Sequence, residues 1–342
     1  MSAREETATA PFVTVIVPVL DGAATLALCL ESVVCSSFTD WELIVVDDGS
    51  RDDSPEIAVR RGATVLHTTG RQGPGAARNL GATRARGEIL FFIDADCSAK
   101  PETLARAVEI LRQNPAIDAL FGSYDDSPSA PGLVAQYKNL QHHFVHQEGA
   151  EEASTFWAGC GAIRRAVFER LGGFDTQRYE RPSIEDIELG YRLTQGGGRV
   201  RLAKGVQVKH HKVWTFSGVL RSDFLDRGVP WVLLLMERGQ AGKDLNLGFR
   251  GRMSVVLAVL MLVGLVLALV SPKFLILSVG SGLVFLWLNF AFYRLLGRRG
   301  GLRLVLGGIA LHWIYQINCA AAYLSGRLLY WRRQRLSATA EN

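Results

Sequence analysis

The run Leu90-Phe91-Phe92-Ile93 drives straight into Asp94-Ala95-Asp96 and stops. Two carboxylates one residue apart repel each other unless a cation or hydrogen bonds neutralise them. A hard divalent ion such as Mg2+ or Mn2+ takes oxygen ligands of this kind, and it commonly also grips a diphosphate. Other stretches carry chemistry-bearing side chains as well. Leu43-Ile44-Val45-Val46 ends in Asp47-Asp48-Gly49-Ser50, where an acid can accept from a nucleobase N–H or a ribose hydroxyl. Gly70-Arg71-Gln72-Gly73-Pro74-Gly75-Ala76-Ala77-Arg78-Asn79 sets a glycine-rich loop before a helix. Exposed backbone N–H groups, a helix N-terminus and guanidinium groups all favour phosphate. Glu185-Asp186-Ile187-Glu188 sits on a short helix. Asp186 there could serve as a general base, with Glu185 beside it. Val206 to Lys209 leads into His210-His211, and a strand-end imidazole could complete a metal shell.

Each of these stretches also has a plainer reading. Asp is common in turns, and acids at a helix start suit the macrodipole. His142, His143 and His146 share a ligand-like spacing. With no acid among them, they read better as a solvated or acceptor-facing helix. Cys97 beside the acids reads as a small core-filling thiol before a reactive one. The glycine-rich loop is not a Walker loop, because no Gly-Lys-Ser/Thr follows. Nor is it a dinucleotide fingerprint, since Pro18-Val19-Leu20-Asp21 occupies the turn after the first apolar run. Both absences weaken ATPase and nicotinamide-dehydrogenase readings.

The elements that position these residues follow from hydrophobic patterning. Continuous β-branched runs without alternation suit strands buried on both faces of a parallel sheet. Val13 to Val17, Leu43 to Val46, Thr64 to His67 and Leu90 to Ile93 read this way. Helical patterns separate them, including Ala76 to Arg86 and Pro101 to Gln113. The alternation predicts an α/β fold with a doubly wound, mostly parallel sheet. Ligands of such sheets sit at the carboxyl ends of the strands, where the acids lie.

The solvent changes from Met253. Residues 253–271 and 274–293 are apolar and nearly free of charge, each close to the ~20 residues needed to cross a bilayer. Residues 305–326 form a third candidate, diluted by His312, Gln316, Asn318 and several glycines. The chain therefore divides into a polar tail over 1–11, a catalytic domain over 12–225 and an interfacial linker over 226–252. A membrane region over 253–330 and a basic tail over 331–342 complete it. The formal net charge is +5, and much of the excess lies beside the apolar stretches. That placement points to anionic lipid headgroups and away from nucleic acid. The polar, acidic start does not read as a signal peptide. The five cysteines show no Cys-x-x-Cys pair and read as reduced thiols.

Taken together, the motifs resemble family-2 glycosyltransferases, inverting enzymes with a nucleotide-diphospho-sugar transferase fold. The matching stretches are Thr14 to Pro18, Glu42 to Asp52, Gly75 to Gly81, Phe92 to Asp96, Gly172 to Asp175 and Glu185 to Arg192, in the family's order. The resemblance implies a nucleotide-diphosphate sugar donor and Mg2+ or Mn2+. It places Pro18, Asp48, Arg78 and Asp94 at the nucleotide, and Asp96, Asp94 and His210 at the metal, with Asp186 as catalytic base. Glu185, Trp157, Arg227 and Trp231 become acceptor-side candidates. Arg221 to Trp231 mixes Arg with aromatic and apolar residues just before the apolar helices. A lipid-linked acceptor suits such an interfacial segment. The segment lacks the Gln-x-x-Arg-Trp signature of processive synthases, which favours single-sugar transfer. The positive-inside rule predicts a multi-pass protein of the inner (plasma) membrane with its catalytic domain in the cytoplasm. The rivals are a nucleotidyltransferase on a similar sheet and a non-catalytic, membrane-anchored binding module.

Overall fold

The computed structural model describes residues 10–239 and 248–340, with side chains through Leu336. Most of the expected N-terminal tail and residues 240–247 of the expected linker lie outside the described residues. The chain forms two compact units. The first comprises Met1–Gly122 and Thr155–Val208, the second Ser123–Ser154 and Lys209–Asn342.

The strands, in chain order, are β1 (Val13–Val19), β2 (Trp41–Asp47), β3 (Thr64–His67), β4 (Ile89–Ile93), β5 (Cys97–Ala99), β6 (Ala119–Tyr124), β7 (Glu152–Ala153), β8 (Cys160–Arg164) and β9 (Val200–His210). The helices are α1 (Ala23–Val34), α2 (Ser54–Arg60), α3 (Pro74–Arg84), α4 (Thr103–Gln113), α5 (Leu133–Glu148), α6 (Arg165–Arg170), α7 (Glu185–Gln195), α8 (Phe216–Arg221), α9 (Val229–Arg238), α10 (Phe249–Ala268), α11 (Leu275–Leu288) and α12 (Phe290–Ala340).

In the first unit the sheet order is β3-β2-β1-β4-β8-β6-β9-β5. The first four strands of that order are parallel, with Val19 opposite Asp47 and Ile16 opposite Phe92. Parallel pairing brings the carboxyl ends of β1, β2 and β4 to one edge. That edge carries Pro18, the Asp47-Asp48 pair and the Asp94-Ala95-Asp96 turn. The fold is thus the expected mixed, mostly parallel α/β sheet. β8 runs antiparallel to both neighbours, pairing β4 on one side and β6 on the other. The patterning of Phe156 to Gly161 carries no alternation that would announce such a strand. All seven residues of β1 and all five of β4 are buried, as expected for strands covered on both faces.

The second unit is helical. Tyr137 and Leu140 of α5 share one apolar core with Leu257, Phe285, Phe292, Leu296 and Leu304 of α10 to α12. Among the described residues two helices, over Phe249–Ala268 and Phe290–Leu336, are long and apolar enough to cross a membrane. The apolar run expected as one helix over 274–293 is interrupted at Asn289 (φ −105°, ψ 14°). Asn289 Nδ2 donates to Phe285 O at 2.9 Å and to Ser254 Oγ at 3.0 Å, so the break is held by side-chain hydrogen bonds. The 14-residue α11 spans only ~21 Å at 1.5 Å per residue, so a crossing of a ~30 Å hydrocarbon core by this run takes in the preceding turn and the residues just past the Asn289 break. Residues 305–326 are continuous helix within α12, whose non-helical backbone lies at Gly300 and Gly301.

Candidate active site

The loops at the sheet edge latch onto one another before any ligand is considered. Asp21 N donates to Ser50 Oγ, and Arg51 N donates back to Asp21 Oδ1 at 2.8 Å. This ties the turn after β1 to the turn after β2. Asp48 is buried, and its carboxylate organises the glycine-rich loop. Oδ1 accepts from Gln72 N at 2.8 Å and Thr68 Oγ1 at 2.9 Å, and Oδ2 accepts from Gly73 N at 2.7 Å. Gly73 has φ +91°, and a Cβ there would meet Glu180 O at 2.7 Å. Only glycine lets the loop adopt this backbone so close to a carbonyl.

Arg78 emerges from α3 and is 5% exposed. Its Nη2 donates to Asp94 Oδ1 at 2.6 Å and its Nη1 to Glu185 Oε1 at 3.3 Å. One guanidinium therefore joins the end of β4 to the start of α7. A buried guanidinium requires such carboxylate partners. Glu185, expected on the acceptor side, is itself 5% exposed. Its second oxygen accepts from Ser183 N at 2.9 Å. The geometry makes it an anchor for Arg78, because both oxygens are engaged inside the fold.

Asp186 differs from its neighbour. It is half-buried, and Oδ2 accepts from Ala158 N at 3.1 Å while Oδ1 accepts from Ile187 N at 2.8 Å. Backbone donors hold the carboxylate in one orientation. The same loop reaches β4, since Asp94 N donates to Gly159 O at 3.3 Å. Residues 155–159 thus hold the Asp94 backbone and the Asp186 carboxylate through adjacent residues, Gly159 and Ala158. Trp157 lies in this loop, half-buried, with its indole over Gly159.

Asp94 and Asp96 are both half-buried. Arg78 occupies one oxygen of Asp94. The remaining Asp94 oxygen and the Asp96 carboxylate are hard donors at a strand end, a set that suits Mg2+ or Mn2+. Burial, with the Asp96 and Asp94 charges added, pushes Cys97 well above the usual thiol range. Cys29 and Cys160 are also fully buried and pushed up, first by burial. Cys35 alone among the first unit's four cysteines is exposed. Reactivity follows thiolate character and access. Iodoacetamide at pH 8 on the native protein should therefore modify Cys35 and spare Cys29, Cys97 and Cys160. Peptide mass spectrometry checks this, and rapid loss of Cys97 would contradict it.

In the second unit, His210 ends β9 and is 4% exposed. Its Nδ1 lies 2.6 Å from Asn139 Oδ1, and its ring stacks on Tyr124 with centroids 4.3 Å apart. The amide oxygen can only accept, so His210 Nδ1 is the donor of this pair. Arg227 lies in a π-helical turn, Ser222–Gly228, with Nη1 3.2 Å from His142 Nε2. Trp231 is half-buried on α9.

Residues 14–172 match the family described as Glycosyl transferase family 2. An uncharacterised glycosyltransferase of Haemophilus influenzae is 32% identical over 220 residues, which cover 60% of this chain and 87% of that protein. The chain belongs to glycosyltransferase family 2. The glycosyltransferase AglE of Haloferax volcanii is 29% identical over 226 residues, 64% of this chain and 72% of that one. A mannosyltransferase of Pyrobaculum calidifontis, solved with GDP-Man and Mn2+, superposes with a TM-score of 0.55 at 20% identity. The match covers 93% of this chain and 88% of the mannosyltransferase, and it shows the shared GT-A-type fold.

Within this family-2 unit the structure brings together Pro18, Asp48, Arg78, Asp94, Asp96, Trp157, Glu185 and Asp186. Two supports were not singled out from sequence. Gly190 is one: a Cβ there would collide with Phe156 N and with Thr155 C, so glycine lets α7 press against the 155–159 loop. Asn79 is the other. Its Oδ1 accepts from Phe174 N and its Nδ2 donates to Phe174 O, both at 2.9 Å. Gly172 and Gly173, both at positive φ, were the available signal for that second clamp.

Proposed function

We propose that this family-2 glycosyltransferase is metal-dependent and inverting, and transfers a single sugar from a nucleotide-diphosphate donor to a lipid-linked acceptor. The observation that carries the reading is the 155–159 loop, which supports Asp94 through Gly159 O and Asp186 through Ala158 N. A base and a metal-type acid pair are thereby fixed to one short segment. Asp94 and Asp96 would hold Mg2+ or Mn2+, with His210 as a further ligand through Nε2. Bound there, the ion supplies charge neutralisation for the leaving nucleoside diphosphate. Asp186 takes the proton of the acceptor hydroxyl, and its two backbone hydrogen bonds keep it aimed. Asp48 shapes the loop that receives the nucleoside and retains lone pairs towards it, with Pro18 at the adjacent strand end. Arg78 orients Asp94 and lends positive charge to the diphosphate, and Glu185 acts through Arg78. Trp157 presents an aromatic wall to the acceptor.

The helical unit anchors the enzyme in the inner (plasma) membrane. Leu265, Val266, Leu269, Val270, Ile276 and Leu283 are all exposed on α10, α11 and their connection, as lipid-facing residues are. Arg250 and Arg252 open α10, and Arg294, Arg298 and Arg299 follow the Asn289 break. The charge pattern favours a cytoplasmic catalytic unit, where nucleotide sugars are made. Arg227 and Trp231 belong to the segment that meets the acceptor at the interface.

The test is release of nucleoside diphosphate by the purified full-length protein across a panel of nucleotide sugars. Release should require Mn2+ or Mg2+, stop in EDTA, and run faster on a lipid-linked acceptor than on its water-soluble counterpart. Equal rates on the two acceptors would remove the lipid-linked part of the reading. Pyrophosphate release would replace it with nucleotidyl transfer.

A further inference from the structure

The helical unit encloses a cavity of about 300 Å³ bounded by the end of α5, the start of α10, the Asn289 break and α12. That is the small end of the ligand-pocket range, roughly 300–1,000 Å³. Its inner wall is polar. Ser254, Asn289, His312, Gln141 and Gln316 all line it and are each between 1% and 6% exposed. Much of that wall is internally bonded. Asn289 and Ser254 pair with each other, and His312 Nδ1 lies 2.9 Å from Tyr293 Oη.

Two glutamines keep unused capacity. Gln141 Oε1 accepts from Lys138 Nζ at 3.3 Å. Because the ammonium only donates, this fixes the amide orientation and leaves the Gln141 NH2 group without a protein acceptor among the described residues. Gln316 meets His312 Nε2 at 2.9 Å through one end of its amide, and the other end has no protein partner among the described residues. Each side chain is 5% exposed. Neither free end is among the fully buried unpartnered atoms, so both keep accessible surface and can bond to whatever fills the cavity they line.

The lining also selects by charge. Among the described lining residues Arg250 and Glu148 are the one fixed cation and the one fixed anion, and they pair at 3.4 Å. Those described residues leave no net positive charge for a phosphate. Phe144 and Phe292 supply apolar walls beside the amides. Uncharged donors and acceptors between aromatic faces fit a ring that carries hydroxyls on its edge and C–H groups on its faces. We propose that this cavity binds the uncharged sugar headgroup of a membrane glycolipid, hydrogen-bonded by Gln141 and Gln316. A lipid, and not a free sugar, is implied because the bounding helices α10 and α12 expose apolar side chains such as Leu260, Leu306 and Leu324, along which acyl chains can lie. The inference rests on the membrane placement proposed above, and it does not require that the glycolipid be the acceptor.

The test uses the full-length protein in a non-glycosidic detergent, offered monohexosyl diacylglycerol and phosphatidylglycerol with matched acyl chains. Native mass spectrometry counts the lipid retained. The wild type should retain the hexosyl lipid about tenfold over the anionic one, the worth of one or two net hydrogen bonds. Gln141→Leu and Gln316→Leu should lose that preference. Ala150→Trp, at an exposed rim position, should block entry without disturbing the helix core, and it decides the matter if the glutamine variants fold poorly. No preference in the wild type, or undiminished retention by Ala150→Trp, would overturn the proposal. Nucleotide-sugar hydrolysis in the same preparations should be unchanged across the three variants. Its absence from the wild type would count against the transferase reading alone.

Discussion

Replacing Asp186 with Asn should lower turnover by about 10²–10⁴, the usual worth of a positioned general base, while leaving donor affinity near the wild-type value. The substitution is nearly isosteric but removes the group that accepts the proton. The site predicts its side effects too. Both Asp186 oxygens accept from backbone N–H groups, those of Ala158 and Ile187. An amide can satisfy one and must turn its NH2 towards the other, so the variant loses about one hydrogen bond, roughly 1 kcal/mol. A shift of a few degrees in melting temperature is expected, far from unfolding. Three readings separate the possible roles: turnover with acceptor present, donor affinity by calorimetry, and the melt. Turnover that collapses with donor affinity intact identifies the base. Donor affinity and turnover falling together would make Asp186 a binding residue and move the base elsewhere.

Much of this site was legible because its chemistry sits where strands end. The β4 run has no polar residue from Leu90 to Ile93, so its burial and its abrupt stop at Asp94 could be read from order alone. The same holds for Val46 and the Asp47-Asp48 pair. What could not be read was the partner of each acid. Asp48 bonds to backbone groups of Gln72 and Gly73, 24 and 25 residues away. Glu185 meets Arg78 across 107 residues. Neither spacing carries a period, so Glu185 reads as an acceptor-side residue until its burial is known. Long-range packing hid the helical unit in a similar way. Leu133–Glu148 lies between strands of the sheet in sequence, yet Tyr137 and Leu140 complete a core with Phe285 and Phe292. Asn289 is one polar residue in an apolar run, and sequence cannot say that it pairs with Ser254 and ends a helix there. Composition marked the apolar region correctly, but the helix ends depended on pairings between side chains far apart in the chain.

Asp96→Ala should abolish metal-dependent transfer while the protein stays folded. The two acids of the turn are not equivalent. Asp94 is tied to Arg78 at 2.6 Å and helps to bury that guanidinium, so removing it would strand a buried charge and confuse stability with function. Asp96 is half-buried and lies beside the buried Cys97, whose thiol its charge helps to keep protonated. Losing Asp96 therefore removes a repulsion next to Asp94 and leaves the Arg78 bridge in place. The melt should stay within a few degrees of the wild type. Mn2+ affinity, followed by the decrease of the free-ion electron paramagnetic resonance signal on titration with protein, should fall by at least tenfold, about 1.4 kcal/mol. That readout does not depend on knowing the sugar or the acceptor. Asp94→Asn is the informative companion: with its amide oxygen kept on Arg78 its NH2 faces the ion, so it too should weaken Mn2+ binding while the Arg78 bridge stays in place. Tight Mn2+ binding and full turnover in the Asp96→Ala protein would show that the ion, if used, is held elsewhere.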